Sequence, residues 1–293
     1  MKVTKKDSPA LRESLPKALK AYDNQEFIHS SDGRIIRILS EYLYPEQYFR
    51  KYGIRNTIVV YGSARSFSEE DYQTELQFLE KKWNNATVEE KELLKKEMAL
   101  LKNKHIITQS YTDCVDMSEM LAKWSMKLPK DKRFYICSGG GPGMMEAANR
   151  GAQRAKSPTI GLNISLPFEQ APNSYITPDL NFEFHYFFMR KFWFVYLCKA
   201  IVAMPGGFGT LDEIMELLTL IQTQKITRPI PIILYNSQFW KKLINFEFLV
   251  DMGMIAKADL DLFVFADTPE EAYEYLKKKL TRLHKLPDVE IGN

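Results

Sequence analysis

Short runs of apolar residues alternate with longer amphipathic stretches along most of this chain. The runs are rich in β-branched and aromatic residues, and within each run the apolar residues are nearly continuous. They occupy residues 57–61, 134–137, 159–163, 200–204, 230–234 and 262–265. Strands that are buried on both faces have this composition, and intervening helices cover both faces of a parallel sheet. The pattern therefore predicts an α/β fold around a parallel sheet.

Helical periodicity separates most of the predicted strands. Apolar residues recur at three- and four-residue spacing between Ile35 and Tyr52, where we expect Pro45 to divide the helix. Further helices are predicted over residues 114–126, 187–199 and 211–222, and one after each of the last two strands. Repeated strand–helix alternation of this kind predicts a Rossmann-like sheet with helices on both faces.

A highly charged insertion, residues 69–104, follows the first predicted strand. Leu76, Leu79 and Trp83 share one face of a first helix. Thr87 and Glu90 have the spacing of a capping box, which starts a second helix. The insertion is predicted to be a helical hairpin, and it is interpreted either as a solvated arm or as an oligomer contact.

The strand and helix pattern fits one domain over residues 31–285. Residues 1–30 are polar, contain two prolines and lack steady periodicity, so we expect a flexible N-terminal arm. Residues 286–293 are expected to form a tail after the last helix.

Charge and hydropathy narrow the classes of partner. The formal net charge of +3 is too small to favour nucleic acid or an anionic membrane as the main partner. The most apolar segment, residues 182–204, is interrupted by four basic residues and is expected to lie in the core rather than to span a membrane. The first ten residues are polar and lysine-rich, so a secretory signal is not expected.

The three cysteines, Cys114, Cys137 and Cys198, are widely spaced and form no CxxC pair. Disulfide scaffolds and zinc clusters need denser cysteines. We therefore expect free thiols in a reducing, cytoplasmic environment. We also expect neither a metal ion nor another cofactor, because no cluster of metal-ligating residue types is recognisable.

Two segments share the design of an apolar strand, a glycine cluster and a helix, over residues 138–146 and 205–213. Glycines allow the main chain to approach a ligand closely, and the N-terminus of the following helix favours an anion. The two loops are therefore interpreted as a phosphate site, although glycines also serve in simple tight turns. Neither segment matches GxxxxGK[ST], so ATP hydrolysis of the P-loop type is not supported.

Charged residues near the second glycine segment allow two interpretations. Glu213 either closes a capping box with Thr210 or acts in the site, and Glu216 follows on the same helical face. Arg190 and Lys191 lie inside a strongly aromatic stretch. A buried arginine needs a partner, whereas a pair at the helix surface would only extend into solvent. Nearby, His185 is expected to pack or form a local hydrogen bond.

At these residues the chain resembles the LONELY GUY family of cytokinin-type nucleotide phosphoribohydrolases, whose members are often labelled lysine decarboxylases. The motifs are GGGPGMMEAANRGA (139–152), GLNISLPFEQAPN (161–173), FFMRK (187–191) and PGGFGTLDE (205–213). The likeness covers roughly residues 55–280. The long second motif and the TLIQTQKI run (219–226) are similar to the larger bacterial members.

The resemblance implies a metal-independent enzyme that cleaves a nucleoside 5′-monophosphate to a free base and ribose 5-phosphate. It assigns catalysis to Arg190 and Glu213. The residues that it implies for nucleotide binding are Gly62, Ser63, Gly140, Gly141, Gly143, Glu146, Lys191, Gly206, Gly207, Gly209, Thr210 and Glu216. It also implies a homodimer or a larger homo-oligomer, with the site near the subunit interface. Because FMRK replaces the histidine-rich MHxRK of short members, the base preference stays open.

Two other functions compete with this interpretation. The first is a nucleotide-binding sensor or carrier on the same fold, since such folds host many functions. The second is a lysine decarboxylase that uses pyridoxal phosphate, although no segment marks a Schiff-base lysine with its cofactor site.

Overall fold

Seven strands pair in parallel among the residues that the structure describes. The structure is a computed structural model and describes residues 17–105, 107–167, 171–287 and 289. The strands are β1 (Thr57–Tyr61), β2 (Tyr135–Ser138), β3 (Ile160–Ile164), β4 (Asn181–Phe184), β5 (Cys198–Ala203), β6 (Ile232–Tyr235) and β7 (Val264–Ala266). They form one sheet in the order β4-β3-β2-β1-β5-β6-β7. The α/β prediction with a parallel sheet is confirmed.

Helices surround the sheet and connect its strands. In the described part of the chain they are α1 (Gln25–His29), α2 (Arg34–Tyr52), α3 (Glu69–Asn85), α4 (Val88–His105), α5 (Thr108–Lys127), α6 (Met144–Arg154), α7 (Phe187–Tyr196), α8 (Phe208–Gln222), α9 (Ser237–Leu243), α10 (Phe246–Asp251) and α11 (Pro269–His284). None of the described helices is long and apolar enough to cross a membrane.

The chain divides into two compact units, one ending at Glu41 and the other beginning at Tyr42. The first unit contains α1 and the start of α2, and the second contains the sheet. Residues 1–16 of the predicted arm lie outside the described residues, as does most of the predicted tail. The predicted domain boundaries therefore stay predictions.

Three local predictions are wrong. Pro45 does not divide α2, which runs from Arg34 to Tyr52 as one helix. A proline inside a helix removes one main-chain hydrogen bond, and burial of Pro45 together with Phe49 offsets this cost. Helix α7 ends at Tyr196 rather than at residue 199. Strand β4 is absent from the prediction, because its four residues run directly into the aromatic stretch that follows.

The main core lies between the sheet and the helices that pack on it. All five residues of β1 are buried, as expected for a central strand of a parallel sheet. Trp124 stacks on Phe134 with ring centroids 5.6 Å apart. Trp240 is fully buried, and its indole N–H donates a hydrogen bond to the carbonyl of Ala203 at 3.2 Å. Cys114, Cys137 and Cys198 are buried free thiols.

The insertion is a helical hairpin, as predicted. The Thr87–Glu90 capping box is formed, with the Thr87 N–H donating to the Glu90 carboxylate at 2.8 Å. The two helices have an apolar cluster of their own, built around Tyr72, Leu79, Leu94 and Leu101. This cluster is separate from the main core. The ends of the hairpin are adjacent, because His105 Nε2 lies 3.1 Å from Glu69 Oε2.

The separate cluster and the adjacent ends lead to a prediction. Replacing residues 70–104 with a short Gly/Ser linker should leave a domain that still melts in one cooperative transition, because the main core keeps its packing. Thermal denaturation followed by circular dichroism measures this. Loss of the cooperative transition, with the wild-type chain melting normally under the same conditions, would show that the hairpin is part of the folding core.

Candidate active site

A cavity of about 650 Å³ opens at the carboxyl ends of the central strands. It lies where the strand order reverses, between β1 and β5, which is where ligands bind in open parallel sheets. The described residues that line it are 60–65, Gly139, Gly141, Met145, Asn163, Ile164, Leu166, Pro172, Glu183, Phe187, Arg190, 206–211, Glu213 and Leu243.

Three loops meet at the cavity, one after each of β1, β2 and β5. The main-chain N–H of Ser63 donates to the carbonyl of Pro205 at 3.1 Å, and the N–H of Met144 donates to the carbonyl of Ser63 at 3.0 Å. Gly143 has a φ of +68°, and a Cβ at this position would collide with the Ser63 carbonyl oxygen. Glycine is therefore required where the loop after β2 approaches the loop after β1.

Helix α8 begins next to the cavity without a side-chain cap. Its N-cap residue is Gly207, and its first residue is Phe208. The first N–H groups of an uncapped helix have no intrahelical acceptor, and together with the helix dipole they favour an anion. Thr210 lies inside the helix and is buried, so it does not cap the helix. The interpretation of Glu213 as the partner of Thr210 in a capping box is therefore wrong.

Arg190 on α7 forms an ion pair with Glu213 on α8. The guanidinium Nη2 lies 3.2 Å from Glu213 Oε1, and the two side chains are only 12% and 11% exposed. The guanidinium also lies over the rings of Phe187 and Phe194, at 5.4 and 5.6 Å from their centroids. Arg190 is thus a buried cation with a carboxylate partner rather than a residue extending into solvent.

Burial gives the Glu213 carboxyl unusual acid–base properties. Loss of hydration raises the pKa of Glu213 to about 7, although the nearby Arg190 guanidinium acts in the opposite direction. At neutral pH the carboxyl is therefore close to the midpoint of its titration. A buried acid with a shifted pKa inside a cavity is a feature of catalytic sites, although structural ion pairs share it.

Lys191 is absent from the described lining of the cavity and forms ion pairs with two neighbouring carboxylates. Its Nζ is 2.8 Å from Asp212 Oδ2 and 2.7 Å from Glu216 Oε2. These contacts raise the pKa of the Lys191 ammonium, against the lowering effect of partial burial. Lys191 and Glu216 therefore form an ion pair with each other, next to the Arg190–Glu213 pair.

The cavity brings together most of the residues singled out in the sequence. Those that line it are Gly62, Ser63, Gly141, Arg190, Gly206, Gly207, Gly209, Thr210 and Glu213. The others, Gly140, Gly143, Glu146, Lys191 and Glu216, are absent from its described lining. Gly140 and Gly143 allow the loop after β2 to adopt positive φ angles, of +76° and +68°. The Glu146 carboxylate accepts a hydrogen bond from the Tyr111 hydroxyl at 2.9 Å.

Sequence analysis missed most of the apolar wall. Met145, Leu166, Pro172, Phe187 and Leu243 reach the cavity from four places: α6, the connection after β3, α7 and α9. No local pattern marks Leu243, because its position depends on how α9 packs. Three further polar residues of the wall are absent from the predicted site residues: Arg65, Asn163 and Glu183. Arg65 directly follows the Gly62–Ser63 loop, so extending that loop by two residues would have found it.

A second depression, of about 480 Å³, lies on the hairpin beside Trp83 and Met98. It adjoins neither a glycine loop nor a shifted acid, so the central cavity is the better candidate site. Among the described residues, no group of three or more His, Cys, Asp and Glu side chains is placed to hold a metal ion.

Part of the chain matches a known protein family. Residues 145–276 match the family described as “Possible lysine decarboxylase”. A “Probable cytokinin riboside 5'-monophosphate phosphoribohydrolase” of Oryza sativa subsp. japonica is 29% identical over 79 residues, which are 27% of this chain and 32% of the relative. A “Cytokinin riboside 5'-monophosphate phosphoribohydrolase” of Arabidopsis thaliana is 28% identical over 79 residues, 27% of this chain and 37% of the relative. The match thus spans about a third of each relative's length.

A solved structure of the “Moco Carrier Protein” from Chlamydomonas reinhardtii is also similar. It is 16% identical, with a TM-score of 0.44, and the match covers 78% of this chain and 99% of that protein.

The shifted pKa of Glu213 leads to a prediction about stability. Because the pKa in the folded protein is about 7 and the ordinary value is 4.5, protonation favours the fold. This contribution is complete below pH 4.5 and is lost as the pH rises to about 7. It amounts to about 3 kcal/mol, taken as an order of magnitude. Glu213→Gln should therefore gain stability relative to wild type as the pH rises from 4.5 to 7.

Chemical denaturation of both proteins across this range measures the difference. Glu97→Gln, at an exposed position on α4, is the matched control and should parallel wild type. A difference between Glu213→Gln and wild type that does not change with pH would contradict the raised pKa.

Proposed function

Because residues 145–276 form a domain of the LONELY GUY family, we propose that the protein hydrolyses the N-glycosidic bond of nucleoside 5′-monophosphates. The products are a free base and ribose 5-phosphate, and AMP or a modified AMP is the proposed substrate. The observation that carries the proposal is the buried Arg190–Glu213 pair in the wall of a cavity that also adjoins an uncapped helix N-terminus. The names of the rice and Arabidopsis relatives support the same reaction class.

The proposed chemistry follows from the charges that develop during the reaction. Cleavage of the bond between C1′ and the base leaves positive charge on the ribose, and the bonding electrons depart with the base. Water then adds its oxygen to C1′, one of its protons is lost, and the base gains a proton. The Glu213 carboxylate is suited to stabilise the cation or to accept the proton from water. Its pKa of about 7 makes both protonation states accessible at neutral pH.

Arg190 has two proposed contributions. It holds Glu213 in place, because both side chains are mostly buried and the guanidinium also lies over the rings of Phe187 and Phe194. It also lies where its remaining N–H groups can bind the substrate. The N-terminus of α8, with Gly206, Gly207, Gly209 and Thr210, is the proposed anchor for the 5′-phosphate. Binding energy from the phosphate then positions the sugar without itself taking part in bond cleavage.

The rival functions differ in what they need from the cavity. A lysine decarboxylase that uses pyridoxal phosphate needs a lysine for the Schiff base, and the described lining contains none. A sensor or carrier would bind the nucleotide without releasing the base. We also propose, on the strength of the resemblance, a homodimer or larger homo-oligomer. The three buried free thiols fit the proposed cytoplasmic location.

The purified protein is predicted to release adenine from AMP in the presence of a chelator. Glu213→Gln should reduce kcat at least about 100-fold, which is the lower range for loss of general acid–base help, while AMP still binds. Chromatography of the free base measures turnover, and calorimetry measures AMP binding. Glu97→Gln, far along the hairpin, is the matched control and should turn over at the wild-type rate.

Two results would contradict the proposal. If AMP, GMP, IMP and the pyrimidine monophosphates all stay intact while AMP binds, the protein is a sensor or carrier. If Glu213→Gln keeps kcat within a factor of about three of wild type, Glu213 has no catalytic role, since general acid–base help is worth far more.

A second prediction concerns the phosphate. The kcat/KM for adenosine should be about 100-fold or more below that for AMP, because the nucleoside cannot use hydrogen bonds to a charged group at the α8 N-terminus. Parallel base-release assays measure both values. Comparable efficiencies for nucleoside and nucleotide would remove the phosphate anchor from the proposal.

A further inference from the structure

Four charged side chains occur among the described residues that line the cavity: Arg65, Glu183, Arg190 and Glu213. They are two cations and two carboxylates, so their formal charges cancel. Arg190 is committed to Glu213, because the two groups are 3.2 Å apart and nearly buried. Arg65 has no carboxylate within ion-pair distance among the described residues. Within this lining, Arg65 is therefore the cation whose charge no described carboxylate offsets.

The main chain at Arg65 is fixed by its neighbours. The Arg65 N–H donates to the Ser63 hydroxyl oxygen at 3.0 Å, which closes a short turn after β1. Ser63 is bound in turn to the loop after β5, through its N–H and the Pro205 carbonyl at 3.1 Å. Arg65 is thus two residues from a position that is hydrogen-bonded to the glycine segment in front of α8. The main-chain end of the Arg65 side chain therefore lies where the strand order reverses, beside the proposed phosphate anchor.

The phosphate itself demands such a cation. A 5′-phosphate carries a charge of about −1.5 to −2 at neutral pH. The N–H groups of α8 offer partial charges of about half a unit in total. When Glu213 is ionised it offsets Arg190, and the helix N–H groups alone then leave most of the phosphate charge unbalanced. A guanidinium supplies a full charge and paired N–H donors that match two phosphate oxygens.

We propose that Arg65 binds the phosphate group of the substrate and thereby sets the preference for a nucleotide over a nucleoside. This inference rests on the proposed function and adds a binding residue to the same site. Arg65 acts on the end of the substrate remote from the bond that is cleaved. Loss of the Arg65 guanidinium therefore lowers the kcat/KM for AMP but not the kcat/KM for adenosine, which has no phosphate.

The test compares Arg65→Gln with wild type on both substrates. The kcat/KM for AMP should fall about 10- to 100-fold, as expected for a lost hydrogen bond to a charged group. The kcat/KM for adenosine should stay within about threefold of wild type, well inside that loss. Arg65→Lys should recover part of the efficiency, since it keeps the charge but not the paired donors. Arg50→Gln, at an exposed arginine of α2, is the matched control and should leave both values unchanged.

Two outcomes would overturn the proposal. An equal loss for AMP and adenosine would mean that Arg65 supports the fold or contacts the sugar or base. An unchanged kcat/KM for AMP would mean that Arg65 does not contact the phosphate.

A binding measurement separates this inference from the proposed function. If wild type binds AMP but releases no base, hydrolysis is refuted while the role of Arg65 is still measurable. Calorimetry should then show that Arg65→Gln weakens AMP binding about 10- to 100-fold and leaves adenosine binding unchanged. Equal affinity of wild type and Arg65→Gln for AMP would refute the role of Arg65 under either function.

Discussion

A carboxylate and a guanidinium that are both withdrawn from water must be held together, because either alone would be a buried, unpaired charge. Arg190 and Glu213 meet this condition across two helices, with 12% and 11% of their side chains exposed. Removing one partner of such a pair typically costs about 3–5 kcal/mol. The pair therefore fixes α8 relative to α7. Since α8 begins at the glycine segment, the same contact fixes the uncapped helix N-terminus beside the cavity.

A second basic residue of α7 offsets the negative charge at the start of α8. Asp212 and Glu216 flank Glu213 in the sequence, and each raises its pKa. Lys191 contacts both flanking carboxylates at less than 3 Å, so their charges are partly neutralised. Consecutive basic residues on α7 thus serve different acids on α8. Arg190 faces the cavity, whereas Lys191 supports the surface next to it.

Features with a strong local signature could be predicted from the sequence. The apolar runs identified six of the seven strands among the described residues, and the glycine segments located two of the loops around the cavity by their design alone. Competing local signals caused errors. Thr210 and Glu213 have capping-box spacing, but the helix begins before Thr210 because Gly207 serves as its N-cap. The apolar wall could not be predicted, because Met145 and Leu243 become neighbours of the cavity only through tertiary packing.

The sheet ends in two short strands, β4 with four residues and β7 with three. An edge strand presents unpaired main-chain groups, and a long apolar edge can recruit a strand from another molecule. In β4, the exposed positions are Asn181 and Glu183, whereas the buried positions are both phenylalanine. The polar residues point away from the core at the very edge where a foreign strand would have to add. The short length of β4 and the charge of Glu183 thus both disfavour the addition of a foreign strand at this edge.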